Sequence, residues 1–232
     1  MIEIDTLFTE LLGYFGPQSW WPAQTRFEML IGAVLTQNTA WRNVERAIAQ
    51  LRLADRLSAQ ALLDCQPLEL AQLIRPAGYY NVKTRRLLEL CRWFVDAGGF
   101  EALDDWPTAR LRTALLAVHG VGKETADSIL LYGFSRPIFV VDAYTQRVFT
   151  RLGLIPAPLD YDELRCKVET ELTAADKVAA YNELHALIVV HGKDICRPRP
   201  RCSQCLLIRQ CDFARAAQLP LGQEGGVHER VE

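Results

Sequence analysis

The sequence lacks any apolar run long enough to cross a membrane. Its longest nearly uninterrupted apolar stretch, residues 29–35, is far shorter than the roughly 18 residues that a spanning helix needs. No basic segment followed by an apolar one opens the chain, so we expect no signal peptide. Neither sign of charge dominates, since 26 Lys and Arg stand against 28 Asp and Glu among 232 residues. A globally basic nucleic-acid-binding protein is therefore not indicated, although this balance leaves room for a local basic face.

Strand patterns are almost absent as well. The only strand-like run, residues 138–141, is too short to found a sheet. Elsewhere apolar residues recur at helical spacing, as at Phe27, Leu30, Ile31 and Val34, and glycine or proline separates the segments. The pattern predicts an all-α protein, long enough for one large domain or two small ones.

The cysteines do not form the even set of a secreted disulfide framework. Seven are present, of which Cys65, Cys91 and Cys166 are scattered and are interpreted as small core side chains. The other four share one C-x5-C-x2-C-x5-C pattern near the end of the chain: Cys196, Cys202, Cys205 and Cys211. Zinc sites of four cysteines usually show two separate close pairs. One close pair with two longer arms favours a [4Fe-4S] cluster over zinc.

The loop between the first two clustered cysteines is basic and stiff. Arg197, Arg199 and Arg201 alternate with two prolines. Guanidinium groups match phosphate oxygens in geometry, so we expect these three to contact a phosphate backbone. A solvated basic loop is the alternative interpretation.

A glycine turn separates two predicted helices at residues 120–122. Gly120, Val121 and Gly122 follow an apolar helix, and Lys123 and Thr125 open the next one. Glycines let another backbone approach closely, and the N–H groups that open a helix bind phosphate without reading sequence. A plain αα-hairpin is the alternative.

With these motifs in place, residues 20–211 resemble the endonuclease III superfamily of helix-hairpin-helix DNA glycosylases. The resemblance rests on residues 34–39 (VLTQNT), 78–83 (GYYNVK), the glycine hairpin, 140–142 (VVD) and the four-cysteine tail. It implies two helical domains on either side of a DNA-binding cleft. Residues 24–136 would form a six-helix barrel with the hairpin. Residues 1–23 and 137–215 would form the domain that holds the cluster, and residues 216–232 a flexible tail.

The resemblance assigns the catalytic carboxylate to Asp142. Independently, Asp142 follows an apolar run and precedes the helical pattern of Val148, Phe149 and Leu152, where a helix N-cap is expected. A helix N-terminus keeps a carboxylate ionised. Such a carboxylate stabilises the oxocarbenium character that develops when an N-glycosidic bond breaks, and it orients the attacking water.

The sequence departs from the lyase-active members of this family at one position. These members carry a catalytic lysine two residues after the second hairpin glycine, where this chain has Glu124. Lys123 is adjacent, but one helical step turns a side chain by about 100°. We therefore predict a monofunctional glycosylase. A smaller departure is that the first cysteine arm has five residues where the family commonly has six.

Residues 35–39 and 123–127 (LTQNT and KETAD) resemble the alkylpurine-removing branch, the endonuclease III-like 3-methyladenine glycosylases. The predicted partner is duplex DNA with a damaged base, bound by a monomer in the cytoplasm at the nucleoid. Two alternatives stay open: a glycosylase for oxidised pyrimidines or mismatches with weak lyase action, and a non-catalytic damage-binding module.

Base excision requires that the target leave the helix and enter a pocket. The resemblance assigns Gln37 and Tyr79 as the residues that fill the vacated space. Aromatic rings stack on electron-poor alkylated purines. The pocket candidates share an aromatic ring or a position beside the sugar: Trp20, Trp21, Trp41, Tyr144 and Glu124.

Overall fold

The computed structural model describes residues 2–218, and within them the chain is helical without a strand. The prediction of an all-α protein is confirmed. Thirteen α-helices span this part of the chain: α1 (Ile4–Phe15), α2 (Arg26–Leu35), α3 (Trp41–Leu53), α4 (Ala59–Leu63), α5 (Pro67–Leu73), α6 (Tyr80–Asp96), α7 (Gly99–Leu103), α8 (Thr108–Ala117), α9 (Lys123–Ser128), α10 (Ala143–Leu152), α11 (Tyr161–Glu171), α12 (Lys177–Asp194) and α13 (Asp212–Ala216). A π-helical turn, Ile129–Gly133, continues α9, and single 3-10 turns lie at Arg75–Ala77, Cys202–Gln204 and Ile208–Gln210. No helix of residues 2–218 is long and apolar enough to span a bilayer.

The described chain divides into two compact units. The central unit contains residues 19–140 and 176–182, and the discontinuous unit contains residues 2–18, 141–175 and 183–218. In the central unit α2 is buried from Glu28 to its end and lies in one apolar cluster with residues of α3, α6 and α8. In the discontinuous unit α1 packs against α11, and α10 packs against α13. Leu7, Leu164 and Phe149 are fully buried in these helices.

The strand-like run of residues 138–141 is extended and buried but joins no sheet within the described chain. It leads directly into α10. The predicted tail falls largely on residues 219–232, which lie outside the described residues. Of its first residues, Ala216 ends α13 and Gln218 follows in a turn.

Two of the three scattered cysteines are core side chains, as predicted. Cys65 and Cys91 are buried, whereas Cys166 is exposed, so the prediction for Cys166 was wrong. On α11 the buried residues are Leu164 and Val168. Cys166 lies two residues from each, which is about 200° around the helix and therefore on the opposite face.

Candidate active site

Asp142 is the N-cap of α10. Its Oδ1 accepts hydrogen bonds from the backbone N–H of Thr145 at 2.7 Å and from the Thr145 hydroxyl at 2.9 Å. The Thr145 Oγ1 in turn accepts from the Asp142 N–H, which completes a reciprocal capping box. The N-cap role expected from the sequence is confirmed, and it fixes this carboxylate at the positive end of a helix.

The second oxygen of the carboxylate meets a histidine that the sequence did not single out. The Nε2 of His185 on α12 lies 3.6 Å from Asp142 Oδ2, and both side chains are about nine-tenths buried. Burial by itself would raise the pKa of Asp142. The nearby His185 ring, together with the hydrogen bonds from Thr145, outweighs that burial and holds the pKa below its ordinary value of 3.8. The carboxylate is therefore ionised at neutral pH although it is enclosed.

Tyr144, a pocket candidate, packs against α12. A Cβ added at Gly192 would come within 2.7 Å of the Tyr144 ring, so glycine is what lets the ring approach this helix. The Arg147 guanidinium lies 5.1 Å from the ring centroid and donates to the carbonyls of Gly192 and Cys196. This half-buried ring is thus held by α12 and by Arg147.

The four clustered cysteines line one cavity of the discontinuous unit. Within residues 2–218 no three His, Cys, Asp or Glu side chains form a group that could hold a single metal ion. The contact of all four thiols with one cavity is the observation that bears on the predicted cluster.

Positive charge and a buried histidine flank these thiols. Arg151 donates to the Sγ of Cys196 at 3.4 Å, and His191 Nε2 lies 4.0 Å from the Sγ of Cys205. Burial, and then the neighbouring cysteines, raise the pKa of Cys202, and burial raises that of Cys205 to about 12. Burial also lowers the pKa of His191 to about 4.

The arginine loop is exposed at Arg197, Arg199 and Arg201. Its backbone is fixed by α10, because Arg151 of that helix donates to the carbonyls of Arg197 at 2.6 Å and Pro198 at 3.0 Å. The loop thus presents three guanidinium groups outward on a fixed backbone.

In the central unit, the predicted hairpin connects α8 to α9. Gly120 has φ +88°, which non-glycine residues rarely adopt, and an added Cβ would collide with the side chain of Arg86. Gly122 is exposed and begins α9 with nothing within 4 Å of an added Cβ. Of the other predicted DNA contacts, Val121 is buried and Lys123 is half-buried.

Gln37 is bonded to this hairpin. Its Nε2 donates to the Gly120 carbonyl and to the Thr125 hydroxyl, each at 3.0 Å, and its Oε1 accepts from Arg86. Thr125 itself is buried. The amide of Gln37 therefore fixes the loop after α2 onto the turn between α8 and α9.

Tyr79, the other candidate for filling the space of a flipped base, is exposed. Its ring and backbone are 71% accessible, and its φ of +46° lies in the left-handed region just before α6. Lys83, one turn further along α6, is fully buried. Its Nζ donates to the carbonyls of Leu35 and Ala77, both at 2.8 Å. Burial, followed by the charge of Arg86, lowers the pKa of Lys83 to about 8.

Three predicted pocket tryptophans form one aromatic cluster. The ring centroids of Trp21 and Trp41 are 5.0 Å apart, and those of Trp20 and Trp41 are 6.0 Å apart. Gly32 on α2 leaves the room in which the Trp21 indole packs, since its Cβ position lies 3.4 Å from Trp21 Nε1.

A cavity of about 250 Å³ opens beside this cluster. Its lining includes Trp21, Trp41, Glu28, Glu45 and Arg52. Glu28 is buried and pairs with Arg52 at 2.7 Å, while Glu45 is exposed. Two aromatic rings and two carboxylates beside one arginine make this cavity suitable for a flat, positively charged ring. The carboxylates were missed in the sequence because they lie on different helices.

Glu124 lies in the first turn of α9 with an exposed side chain, and its carbonyl accepts from the Ser128 hydroxyl at 2.8 Å. It occupies the helix position at which the resemblance expected a lysine.

Comparison with known proteins identifies the family of this chain. A profile described as HhH-GPD superfamily base excision DNA repair protein matches residues 31–172. A Methanocaldococcus jannaschii protein with the provisional name DNA repair glycosylase is 47% identical over 211 residues, which cover 90% of this chain and 95% of that protein.

Two solved structures are similar in fold. An H. pylori 3-methyladenine DNA glycosylase bound to 1,N6-ethenoadenine is 29% identical with a TM-score of 0.72, and the match covers 83% of this chain and 98% of that one. An endonuclease III in a non-covalent complex with DNA has a TM-score of 0.79 at 22% identity and covers 94% of this chain and 99% of that one.

Proposed function

Since the chain belongs to the HhH-GPD superfamily and is a base-excision DNA glycosylase, we propose that it is monofunctional and removes alkylated purines such as 3-methyladenine from duplex DNA. The observation that carries this proposal is the cavity beside Trp21 and Trp41. Alkylated purines are flat and often cationic, so they gain from indole faces and from the carboxylates of Glu28 and Glu45. Oxidised pyrimidines are neutral and gain less from such a lining.

Asp142 is the proposed catalytic residue. During base release the bond between the base nitrogen and the sugar C1′ breaks, the base takes the bonding electrons, and C1′ gains positive charge. An ionised carboxylate fixed by Thr145 and His185 stabilises that positive charge and orients the attacking water. The water oxygen bonds to C1′, and the proton that the water loses passes to the carboxylate and then to solvent. The products are a free base and an abasic site.

Glu124 in place of a lysine supports the monofunctional assignment. Strand cleavage by these enzymes needs an amine that forms a Schiff base with the sugar. Glu124 supplies no amine, and Lys123 lies about 100° away around the helix. We therefore expect lyase activity to be weak or absent.

DNA is held, in this proposal, through its phosphates. The exposed backbone at Gly122 and the three arginines of the loop at residues 197–201 are the phosphate contacts. Gln37 and Tyr79 fill the space left by the flipped base, and the exposed ring of Tyr79 supports that role.

The four cysteines are the proposed ligands of a [4Fe-4S] cluster. Their common cavity supports this assignment, and so does the C-x5-C-x2-C-x5-C spacing. Such a cluster would join both ends of the arginine loop to α13 and keep the loop rigid. The division into a six-helix barrel (24–136) and a cluster domain (1–23 and 137–215) stays a prediction, as do the monomeric state and the location at the nucleoid.

The test is to identify the bases that the purified, metal-loaded protein releases from methylated duplex DNA. We expect free 3-methyladenine, with strand breaks only after alkali and no covalent adduct upon borohydride reduction. Release of oxidised pyrimidines instead, with a reduced adduct, would support the endonuclease III-like alternative. Tight binding to damaged DNA without release of any base would support the binding module.

A further inference from the structure

We propose that Lys83 is a positioning residue that links the two loops which enter the DNA when a base is flipped. This inference rests on the proposed function, in which Gln37 and Tyr79 fill the space that the flipped base leaves in the duplex. One buried ammonium donates to Leu35, two residues before Gln37, and to Ala77, two residues before Tyr79. The two loops are thereby held at a fixed separation.

Both loops contain backbone that needs such support. Asn38, directly after Gln37, has φ +53°, and Tyr79 has φ +46°. Non-glycine residues adopt this conformation only where their surroundings hold it. A lysine that holds a carbonyl in each loop restrains both of these conformations.

A second residue of α6 extends the same link. Arg86 lies one turn after Lys83, donates to the Gln37 side chain and packs over Gly120 of the hairpin. Helix α6 therefore fixes both loops and the hairpin, so that the residues that enter the DNA keep their place relative to the phosphate grip.

A charged group at this buried position has two possible explanations. An ammonium buried among apolar residues is costly, and an apolar side chain of similar size often stabilises such a site better. The lowered pKa of Lys83 reflects that cost. A purely structural role is the competing explanation, since a cation can satisfy the last carbonyls of α2.

The positioning role and the purely structural role predict different rates of release for a base that is already unpaired. Filling the vacated space helps extrusion of a paired target and matters less for an unpaired one. The experiment compares single-turnover base release from two duplexes, one with the alkylated purine opposite its normal partner and one with the same base opposite an abasic-site analogue. For Lys83→Met we expect release from the paired duplex to fall about tenfold or more, and release from the unpaired duplex to stay within about threefold of wild type.

The control for lost stability is Leu62→Ala, a cavity variant in α4 of the same unit. It is expected to reduce release from both duplexes equally or not at all. Should Lys83→Met not fold, Lys83→Gln retains donors for the two carbonyls, and we expect it to restore part of the paired-to-unpaired ratio. An unchanged ratio in the folded Lys83 variants, or the same change in Leu62→Ala, would overturn the proposal.

A binding assay separates this inference from the choice of substrate. The probe is a duplex that contains an abasic-site analogue next to 2-aminopurine, whose fluorescence rises when a side chain enters the stack. We expect wild type to raise the fluorescence and the Lys83 variants to bind with a smaller rise. If wild type releases no alkylated base but the fluorescence rise still depends on Lys83, the proposed substrate fails and the role of Lys83 stands. If the rise is equal in wild type and variants, the role of Lys83 fails.

Discussion

The imidazole of His185 lies 3.6 Å from Oδ2 of Asp142, the carboxylate oxygen that the Thr145 cap does not use. The carboxylate is thus held from both sides, by a helix N-terminus and by a ring that can carry positive charge. This arrangement keeps a buried acid ionised, as the proposed role of Asp142 opposite a developing sugar cation requires.

The first prediction concerns the pH dependence of Asp142. Burial raises the pKa of this carboxyl, and His185 is the strongest group opposing that effect. His185→Gln removes the opposing charge while burial remains, so the pKa rises. Since the ionised form is the active one, activity is lost as pH falls through this pKa, and the acid limb of single-turnover base release moves to higher pH.

The free energy of unfolding should depend on pH in the same direction as the activity does. A carboxyl whose pKa is lowered by folding stabilises the protein above its unfolded value of about 3.8, and this stability is lost as pH falls through the folded pKa. The His185→Gln variant should therefore be less stable than wild type at neutral pH. Upon acidification its free energy of unfolding should fall by less than that of wild type. An acid limb at the same pH in both proteins would contradict the assigned pairing.

The second prediction separates pocket tryptophans from core tryptophans. Trp41→Ala removes a stacking face of the cavity, so base release should fall by about tenfold to a hundredfold, the equivalent of one stacked base. The measurement is single-turnover release well below the melting temperature. Trp106→Ala is the matched control, because Trp106 is also half-buried against the core of the central unit but does not line the cavity. Equal losses in both variants would show that Trp41 acts only through folding.

The third prediction uses two glycines of one turn. Gly120→Ala places a Cβ at φ +88° and against Arg86, so we expect the free energy of unfolding to fall by about 1–2 kcal/mol. Gly122→Ala meets no atom within 4 Å and should change it by only about 0.5 kcal/mol. Chemical denaturation of both variants measures this difference. Equal losses of unfolding free energy in the two variants would show that neither the positive φ at residue 120 nor the approach of Arg86 requires glycine there.

Much of this fold follows from the sequence, because apolar spacing marks the helices and Asp142 begins one of them. The pairing of Asp142 with His185 does not. His185 lies on α12 among Leu184, Ala186 and Leu187, which are all buried, so the pattern shows no preferred face. A histidine there has no visible partner until the chain is folded.

The burial of Lys83 is predictable from its spacing along α6. This lysine precedes Leu87 by four residues and Leu90 by seven, which places it on the apolar face of α6. A charged residue at such a position is buried and must bond to something. The two carbonyls it meets come from distant loops, and local patterns do not encode their approach. For Cys166 the prediction was wrong in the opposite direction. Cysteine is a residue type that is often buried, but the position of Cys166 on α11 places it on the exposed face.

The fourth prediction concerns the four cysteines. A protein purified without oxygen should be yellow-brown, absorb near ~400 nm and contain about four irons. Cys202→Ser should lower the iron content and loosen the arginine loop, which weakens DNA binding more at low salt than at high salt, because fewer phosphate contacts make the affinity less salt-dependent. A colourless protein that binds stoichiometric zinc would contradict the cluster assignment.

The most direct test of the account is single-turnover release of 3-methyladenine from methylated duplex DNA by wild type and by Asp142→Asn. Asparagine also serves as a helix N-cap, so the variant should fold and bind DNA with an unchanged Kd. We predict that its rate falls by a factor of about 10² to 10³ or more, because the charge opposite C1′ is gone. A variant that binds DNA normally and keeps its rate within about tenfold of wild type would contradict catalysis by Asp142.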